Sequence, residues 1–454
     1  MATTIEPSNP KSFDMKTHFF AIADYVQTLL KIGEVSLANL SAEESNFVRF
    51  NKSMIRQAGS IKQIGLAISL IANKRRSESR LTLSGSYTQD CAMARAAVEA
   101  LRLDVANLPE DPYLLFNQTP QSSEFIGESA LPSDVQMFDQ ILTAGQGKDL
   151  VGIFASGAIY KGFANSLGQR NWHRVDNFNC EWCLYHAADK AVKSGYAGTH
   201  WVASEFEQKM ALSATQLTIL QRPAKSLKPG QYRSYLTPTA LGEIVGLLSW
   251  GGFGVKSQRN KQSPLIKLED GSAVLHHSIS MSENAAQGVA PSFQSEGFIK
   301  FASVDLIKAG RSAGSLISPR SAREYSLQTN GANAGESPES MDMAAGLLDQ
   351  ADVLSTLDTG LLIGNLWYLN YSERASCRMT GMTRFATFWV ENGEIVAPLN
   401  VMRFDDSAYR VLGSNLAGLT AQRDWLMDSG SYSERSTGSA RLPGALVNDF
   451  SLTL

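Results

Sequence analysis

The sequence predicts an α+β chain: an N-terminal α/β domain of antiparallel sheet and helices, then a β-rich, barrel-like or sandwich C-terminal domain. Three patterns lead there. Ile64, Leu66, Ile68 and Leu70 alternate with Gly65, Ala67, Ser69 and Ile71, the period of a strand with one small-residue face. Phe19, Ile22, Val26, Leu29 and Leu30 recur at helical spacing. Asn392-Gly393 stands between apolar runs at 383–390 and 395–402, a strong hairpin signal because both turn residues need φ > 0.

In chain order, the first helix leaves Lys16, Asp24 and Lys31 to solvent. Short strand-like runs at 47–50, 54–57 and 81–83 flank the alternating segment. A second helix is expected over 91–103, with Val98, Leu101 and Val105 on one stripe. Pro109, Pro112 and Pro120 interrupt the chain, and residues 119–133 read as a linker. A strand at 152–160 and a polar turn at 165–169 lead into a long alternating run. Trp172, Phe178, Cys180, Trp182 and Leu184 occupy one face; Asn171, His173, Asn177, Asn179 and Glu181 occupy the other. A helix over 203–220 carries Phe206, Met210 and Leu217. Residues 225–230 end in the turn dipeptide Pro229-Gly230, and the main boundary is placed there. That gives an N-terminal region of 1–225, with subsegments of about 1–118 and 119–225, and a β-rich region of 226–454. Thr237 is the N-cap of the next helix, with Pro238 at its first position and Leu241, Ile244, Val245 and Leu248 on one face. Strand-like runs follow at 273–281 and 298–307. The Gly/Ser/Asn-rich stretch 310–343 is too long for a structural turn, and such loops are usually functional or disordered.

The 454 residues suit two or three domains at roughly 150 each. Lysine plus arginine total 41 against 44 acidic residues, a net charge of −3 that argues against a dedicated nucleic-acid binder. No run approaches the ~20 apolar residues of a membrane helix, and Met1 to Lys16 lacks the basic-then-apolar pattern of a signal peptide. Four cysteines are too few for a disulfide framework at this length. The expectation is a cytoplasmic protein without membrane or direct nucleic-acid contact.

Several patterns bear on chemistry. Cys180, Cys183 and His186 form C-x-x-C-x-x-H, half of a structural zinc pattern whose second pair is missing. On a strand the two cysteines point to opposite faces, which disfavours a shared metal. His276 and His277, adjacent on an expected strand, should diverge. Gly310-Arg-Ser-Ala-Gly314 matches a nucleophile elbow but lacks the following helix and the parallel sheet, so it reads as a turn. Gly145-Gln-Gly-Lys148 also reads as a turn. Cys377 lies between Arg374 and Arg378, cations that could lower a thiol pKa, but no histidine partner is evident. The denser constellation surrounds it: Trp367, Tyr368, Asn370 and Tyr371 beside Glu373, Arg374, Arg378, Thr380, Thr383 and Arg384. It suits either a cavity wall that holds peptide backbone or a sheet edge with ordinary salt bridges.

At this segment the chain resembles the TldD/PmbA family, named modulators of DNA gyrase. The resemblance rests on Leu366-Trp-Tyr-Leu-Asn-Tyr-Ser372, Arg374, Thr380-Gly-Met-Thr-Arg384, Thr387-Phe-Trp389, Glu391-Asn-Gly-Glu-Ile395 and Met402-Arg-Phe404. Upstream it adds Arg56-Gln-Ala-Gly59, Asn165-Ser-Leu-Gly168 and Pro229-Gly230, and it extends from about Phe47 to Leu416. It implies a dimer whose subunits enclose a peptide-cleaving chamber. In the family, TldD-like subunits carry His-Glu-x-x-x-His on a helix and a later cysteine ligand; TldE/PmbA-like subunits lack the motif and pair with them. The equivalent helix here is the one starting at Pro238. It contains Glu243, and no histidine occurs between His200 and His276. The resemblance is therefore to the metal-less TldE/PmbA branch. It implies no catalytic or metal residue in this chain, zinc in a TldD-like partner, and a heterodimer or a homodimer acting on unfolded peptide. Tyr368, Asn370, Tyr371, Arg374, Arg378, Thr380, Thr383 and Arg384 are expected to bind substrate. The alternatives are a self-sufficient homodimeric hydrolase using Cys377 or Ser312, or a non-enzymatic modulator of gyrase or a toxin–antitoxin component.

Overall fold

The computed structural model describes residues 13–187 and 190–453; residues 1–12, most of the stretch scanned for a leader, lie outside them. The first sheet and its helices comprise α1 (Met15–Thr28), β1 (Val35–Asn51), β2 (Met54–Ala72), β3 (Arg75–Thr82), α2 (Tyr87–Asn107), β4 (Ser123–Ile126), α3 (Asp134–Gly145), β5 (Asp149–Asn165), β6 (Arg170–Ala187), β7 (Lys190–Gly198) and α4 (Ala203–Leu220). The strand order is β3-β2-β1-β5-β6-β4, with β7 also on β6. The short runs expected near residues 50 and 55 are parts of two long antiparallel strands, β1 and β2, joined by a tight turn at Lys52 and Ser53.

Two features depart from expectation in this region. Within the expected linker, β4 adds parallel to β6. Immediately after it, α3 opens with a capping box in which Ser133 and Gln136 satisfy each other's backbone N–H groups. All four helices cover one face of the sheet, over Trp172, Phe178, Cys180, Trp182 and Leu184. The opposite face of β6, which sequence alone would leave to water, is also buried: Asn171, His173 and Asn177 have almost no exposure. Its polar groups bond to the second half of the chain. His173 Nε2 lies 3.0 Å from the Val289 carbonyl, and Asn179 Nδ2 donates to the Met427 carbonyl at 2.8 Å. Small apolar clusters of Ile159 and Val175 with Val289, and of Leu37 and Phe163 with Phe293, complete the seam.

The second sheet has eleven strands: β8 (Gly230–Leu236), β9 (Met281–Glu283), β10 (Val304–Lys308), β11 (Arg311–Ser312), β12 (Ser340–Met343), β13 (Gly360–Glu373), β14 (Arg378–Glu391), β15 (Glu394–Pro398), β16 (Arg403–Ser407), β17 (Leu416–Met427) and β18 (Ser439–Leu452). Strands β8, β13, β14, β16 and β18 pair in a closed ring, because β8 bonds to both β13 and β18. Closure removes the open edges of these five strands, while β11, β15 and β17 keep one partner each. The helix α5 (Pro238–Ser249) starts at the Thr237 cap, whose Oγ accepts from Ala240 N–H, and buries Leu241, Ile244, Val245 and Leu248 in the core beneath the ring.

The β14–β15 hairpin turns at Asn392 and Gly393, with φ of +51° and +77° as its turn type demands. The strands expected at 273–281 and 298–307 are largely irregular. Before Met281, where β9 begins, Leu275 and Ile279 are the buried residues of the first, four residues apart, and a turn closes between the His276 carbonyl and Ile279 N–H. The two imidazoles therefore do not diverge; their centroids lie 4.1 Å apart. Residues 310–343 are ordered by a buried carboxylate. Glu336 accepts from Lys256 N–H, Ser318 N–H and the Ser318 hydroxyl at 2.8–3.0 Å, fixing a short helix at Pro319–Tyr325. None of the described helices is long and apolar enough to cross a membrane.

Candidate functional site

Glu243 of α5, Lys193 of the β6–β7 hairpin and Phe385 of the β13–β14 ladder approach one another, and the ground between them is the candidate recess. The ridge of α5 facing away from the core carries Glu243 and Gly246. Glu243 is open to water yet enclosed on several sides, and burial pushes its carboxyl above the usual range, with the Lys193 ammonium partly opposing that rise. Across from it, Lys193 of β7 pairs with Glu181 of β6 at 2.9 Å. Cys183, two residues along on the same face, has its thiol pushed up to about 11 by burial. The Lys193 ammonium also lies 6.0 Å from the Phe385 ring of β14.

The third wall is backbone under constraint. Register shifts interrupt the β13–β14 pairing around Gly364 and again between Trp367 and Asn370. Such irregularities re-aim side chains. Tyr368 and Phe385 sit beside them with φ of +59° and +56°, a region that bulky residues rarely adopt and that tends to be retained at functional sites. The result is a projecting aromatic surface: Tyr368 is 77% exposed, its ring 5.5 Å from Trp367. The Arg384 guanidinium lies 4.6 Å over Trp367 and 5.2 Å over Phe385. Among the described residues Arg384 has no carboxylate partner, so its donors face a ligand or water.

The other residues expected to touch substrate are held by the fold itself. Arg374 donates to the Gln262 and Trp250 carbonyls at 2.8 and 2.7 Å while stacking on Tyr371, and so ties the end of α5 to β13. Tyr371 donates its hydroxyl to the Leu247 carbonyl at 2.7 Å. Arg378 pairs with Asp405 at the surface. Thr380 donates to the Phe404 carbonyl at 3.0 Å, and the buried Thr383 accepts from Met402 N–H at 3.0 Å. The exposed Asn370 caps its own neighbour, accepting from Tyr371 N–H. The structure thus brings Tyr368 and Arg384 together at the recess and leaves Arg374, Arg378 and Thr383 outside it. Glu181 and Lys193 join it without any sequence signal, since both come from strands remote in the chain, and Phe385 joins it as the neighbour of Arg384 on β14.

The nucleophile candidates fare differently. Cys377 is fully buried at φ +49°, its thiol pushed up to about 12 by burial despite Arg374. Ser312 lies in an antiparallel β10–β11 hairpin turning at Ala309 and Gly310, not in a strand-to-helix elbow. Cys180 is buried among Trp182 and Phe178, on the other face from Cys183. For a zinc ion the recess fits poorly: it offers Glu243, a Glu181 already paired with Lys193, and a thiol that burial keeps protonated, with no imidazole among them. Among the described residues no group of three or more His, Cys, Asp or Glu is placed to hold a metal.

Residues 229–454 match a family described as the PmbA/TldA metallopeptidase C-terminal domain. Among solved structures, the chain is similar to TldE from Thermococcus kodakarensis, with 12% identity, a TM-score of 0.77, and coverage of 96% of this chain and 100% of that one. A proposed modulator of a DNA gyrase from Thermotoga maritima gives 14%, 0.75, 96% and 100%. A further one from Bacteroides thetaiotaomicron gives 13%, 0.69, 96% and 98%. At such identities the likeness to the solved structures is one of fold. No curated protein matches the chain.

Proposed function

The chain belongs to the TldD/PmbA family, and from that premise we propose that it is the metal-less, TldE/PmbA-like subunit of a zinc metallopeptidase that acts in the cytoplasm on unfolded peptides. One observation carries this reading. With Glu243 in the register of the glutamate of His-Glu-x-x-x-His, the two histidine positions fall on Gly242 and Leu247. Leu247 is buried against the core, and a Cβ at Gly242 would come 2.7 Å from Leu426. Neither place could present an imidazole to solvent without repacking.

Zinc on a TldD-like partner supplies the hydrolytic chemistry. This chain's part is to complete the chamber and hold an extended peptide against the recess. Arg384 offers planar, paired donors to peptide carbonyls or a terminal carboxylate, and Trp367 and Tyr368 offer flat faces for side chains. A self-sufficient hydrolase is the weaker reading, because Cys377 is inaccessible and protonated and Ser312 lies in a hairpin strand and not in a nucleophile elbow.

Mixing the purified chain with a homologue that carries His-Glu-x-x-x-His should produce peptidase activity that neither shows alone and that a chelator removes. Cleavage by this chain unaided and metal-free would sink the division of labour.

A further inference from the structure

The small-residue face of β2 has no part in the recess. It floors a different cleft, of about 730 Å³, between the N-terminal sheet and two segments of the second half, residues 291–300 and 433–437. Ser41, Gly65, Ala67 and Thr82 form the floor, and Phe293 lines one side. Gly65 keeps the floor flat: a Cβ there would stand 3.2 Å from the Ser41 carbonyl oxygen.

The walls carry paired charges and one spare donor. Lys161 donates to Ser41 Oγ at 2.6 Å and lies 3.5 Å from the carboxylate of Glu434, itself 45% exposed. Gln294 is buried; its Oε1 accepts from Glu296 N–H, and its Nε2 has no hydrogen-bond partner among the described residues. Arg435 is 7% exposed and donates to the Gly157 and Asn177 carbonyls and to Ser45, with no ion pair among the described residues. Burial lowers its pKa to about 10, against the opposing pull of the Glu43, Asp134 and Asp176 carboxylates. Lys300, by contrast, is matched by Glu339 at 2.6 Å.

A concavity of this size, largely apolar with a few convergent polar groups, is the form of a small-molecule site. The spare Gln294 amide and the cationic corner at Lys161 select a ligand that accepts hydrogen bonds and carries negative charge. Glu434 already displays the group that the Lys161–Ser41 corner takes. We propose that this cleft binds small organic acids, the apolar body lying over Gly65 and Ala67 and the carboxylate meeting Lys161. The site lies over the β3–β5 end of the sheet, away from β7 and the recess, and it stands independently of the peptidase reading.

The test titrates the full chain, by calorimetry, with phenylacetate, hexanoate and nicotinate, each beside its uncharged amide. At least one acid should saturate, with its amide about tenfold weaker or more. Ala67→Leu, which fills the floor, should abolish binding at an unchanged melting temperature. Lys161→Gln should weaken it about tenfold, whereas Glu434→Gln, which removes the competing carboxylate, should strengthen it. If Ala67→Leu does not fold, the two charge variants decide alone. No saturation by any acid, equal binding of acids and amides, or affinity indifferent to Lys161→Gln would overturn the proposal.

Discussion

Burial holds the His173 imidazole neutral down to about pH 4, where the unfolded chain would already have taken up a proton. Above pH 6.5 both states are neutral and the residue is silent. Between about 6.5 and 4 the unfolded chain binds the extra proton, so stability falls with falling pH, by about 3 kcal/mol in total. His173→Gln should flatten that segment of the stability–pH curve in urea titrations from pH 7 to 4; an unchanged slope would show that the imidazole charges freely. The arginines of the aromatic segment separate by the same kind of reasoning. Arg374 satisfies two carbonyls at the end of α5 and stacks on Tyr371, so Arg374→Ala should lower stability by about 2–3 kcal/mol. Arg378 meets Asp405 at an exposed surface, and its loss should cost about 0.5 kcal/mol or less. Equal midpoints for the two variants in denaturant would contradict this assignment.

At the scale of an element, β13 trades local comfort for a projecting ring. Tyr368 holds a left-handed backbone while its side chain stands in solvent, so packing returns little for the strain. Tyr368→Gly should therefore raise stability by about 1 kcal/mol. If the ring binds substrate, the same variant should lower peptidase activity in the reconstituted mixture. A variant both less stable and equally active would deny the loop its role. The Asn392-Gly393 turn is the simpler case. Gly393→Ala meets open surroundings, its nearest neighbour 3.4 Å away, and should cost about 1 kcal/mol from its φ alone.

Across the whole molecule, the parts readable from sequence are those whose signal is local. α5 follows from Thr237, Pro238 and its apolar stripe; the β14–β15 hairpin follows from its turn residues; the apolar face of β6 follows from strict alternation. α3 escaped because its cap follows directly on the proline-rich stretch, and β4 because a four-residue parallel strand has no period to read. The buried amides of β6 look like a wet surface in sequence, since nothing local says that Val289 and Met427 will cover them. The recess was half legible for the same reason: Tyr368 and Arg384 lie in one dense segment, whereas Glu181, Lys193 and Glu243 meet only through tertiary packing. Arg435 reaches across the seam to Gly157 and Asn177, so Arg435→Met should remove these cross-seam hydrogen bonds and cost about 2–4 kcal/mol. Calorimetry should then resolve two melting events in place of one, as the sheets uncouple; a single undisturbed peak would place the coupling elsewhere.

The pairing of β8 with β18 has a topological corollary. Leu452 sits opposite Gly230, so the strand that begins the second half and the strand that finishes it are neighbours. That half is thus a cassette with adjacent entry and exit points, suited to circular permutation or to insertion into a host protein. New ends cut at the solvent-facing Asn392-Gly393 bend would leave the ring's hydrogen-bonded circuit intact.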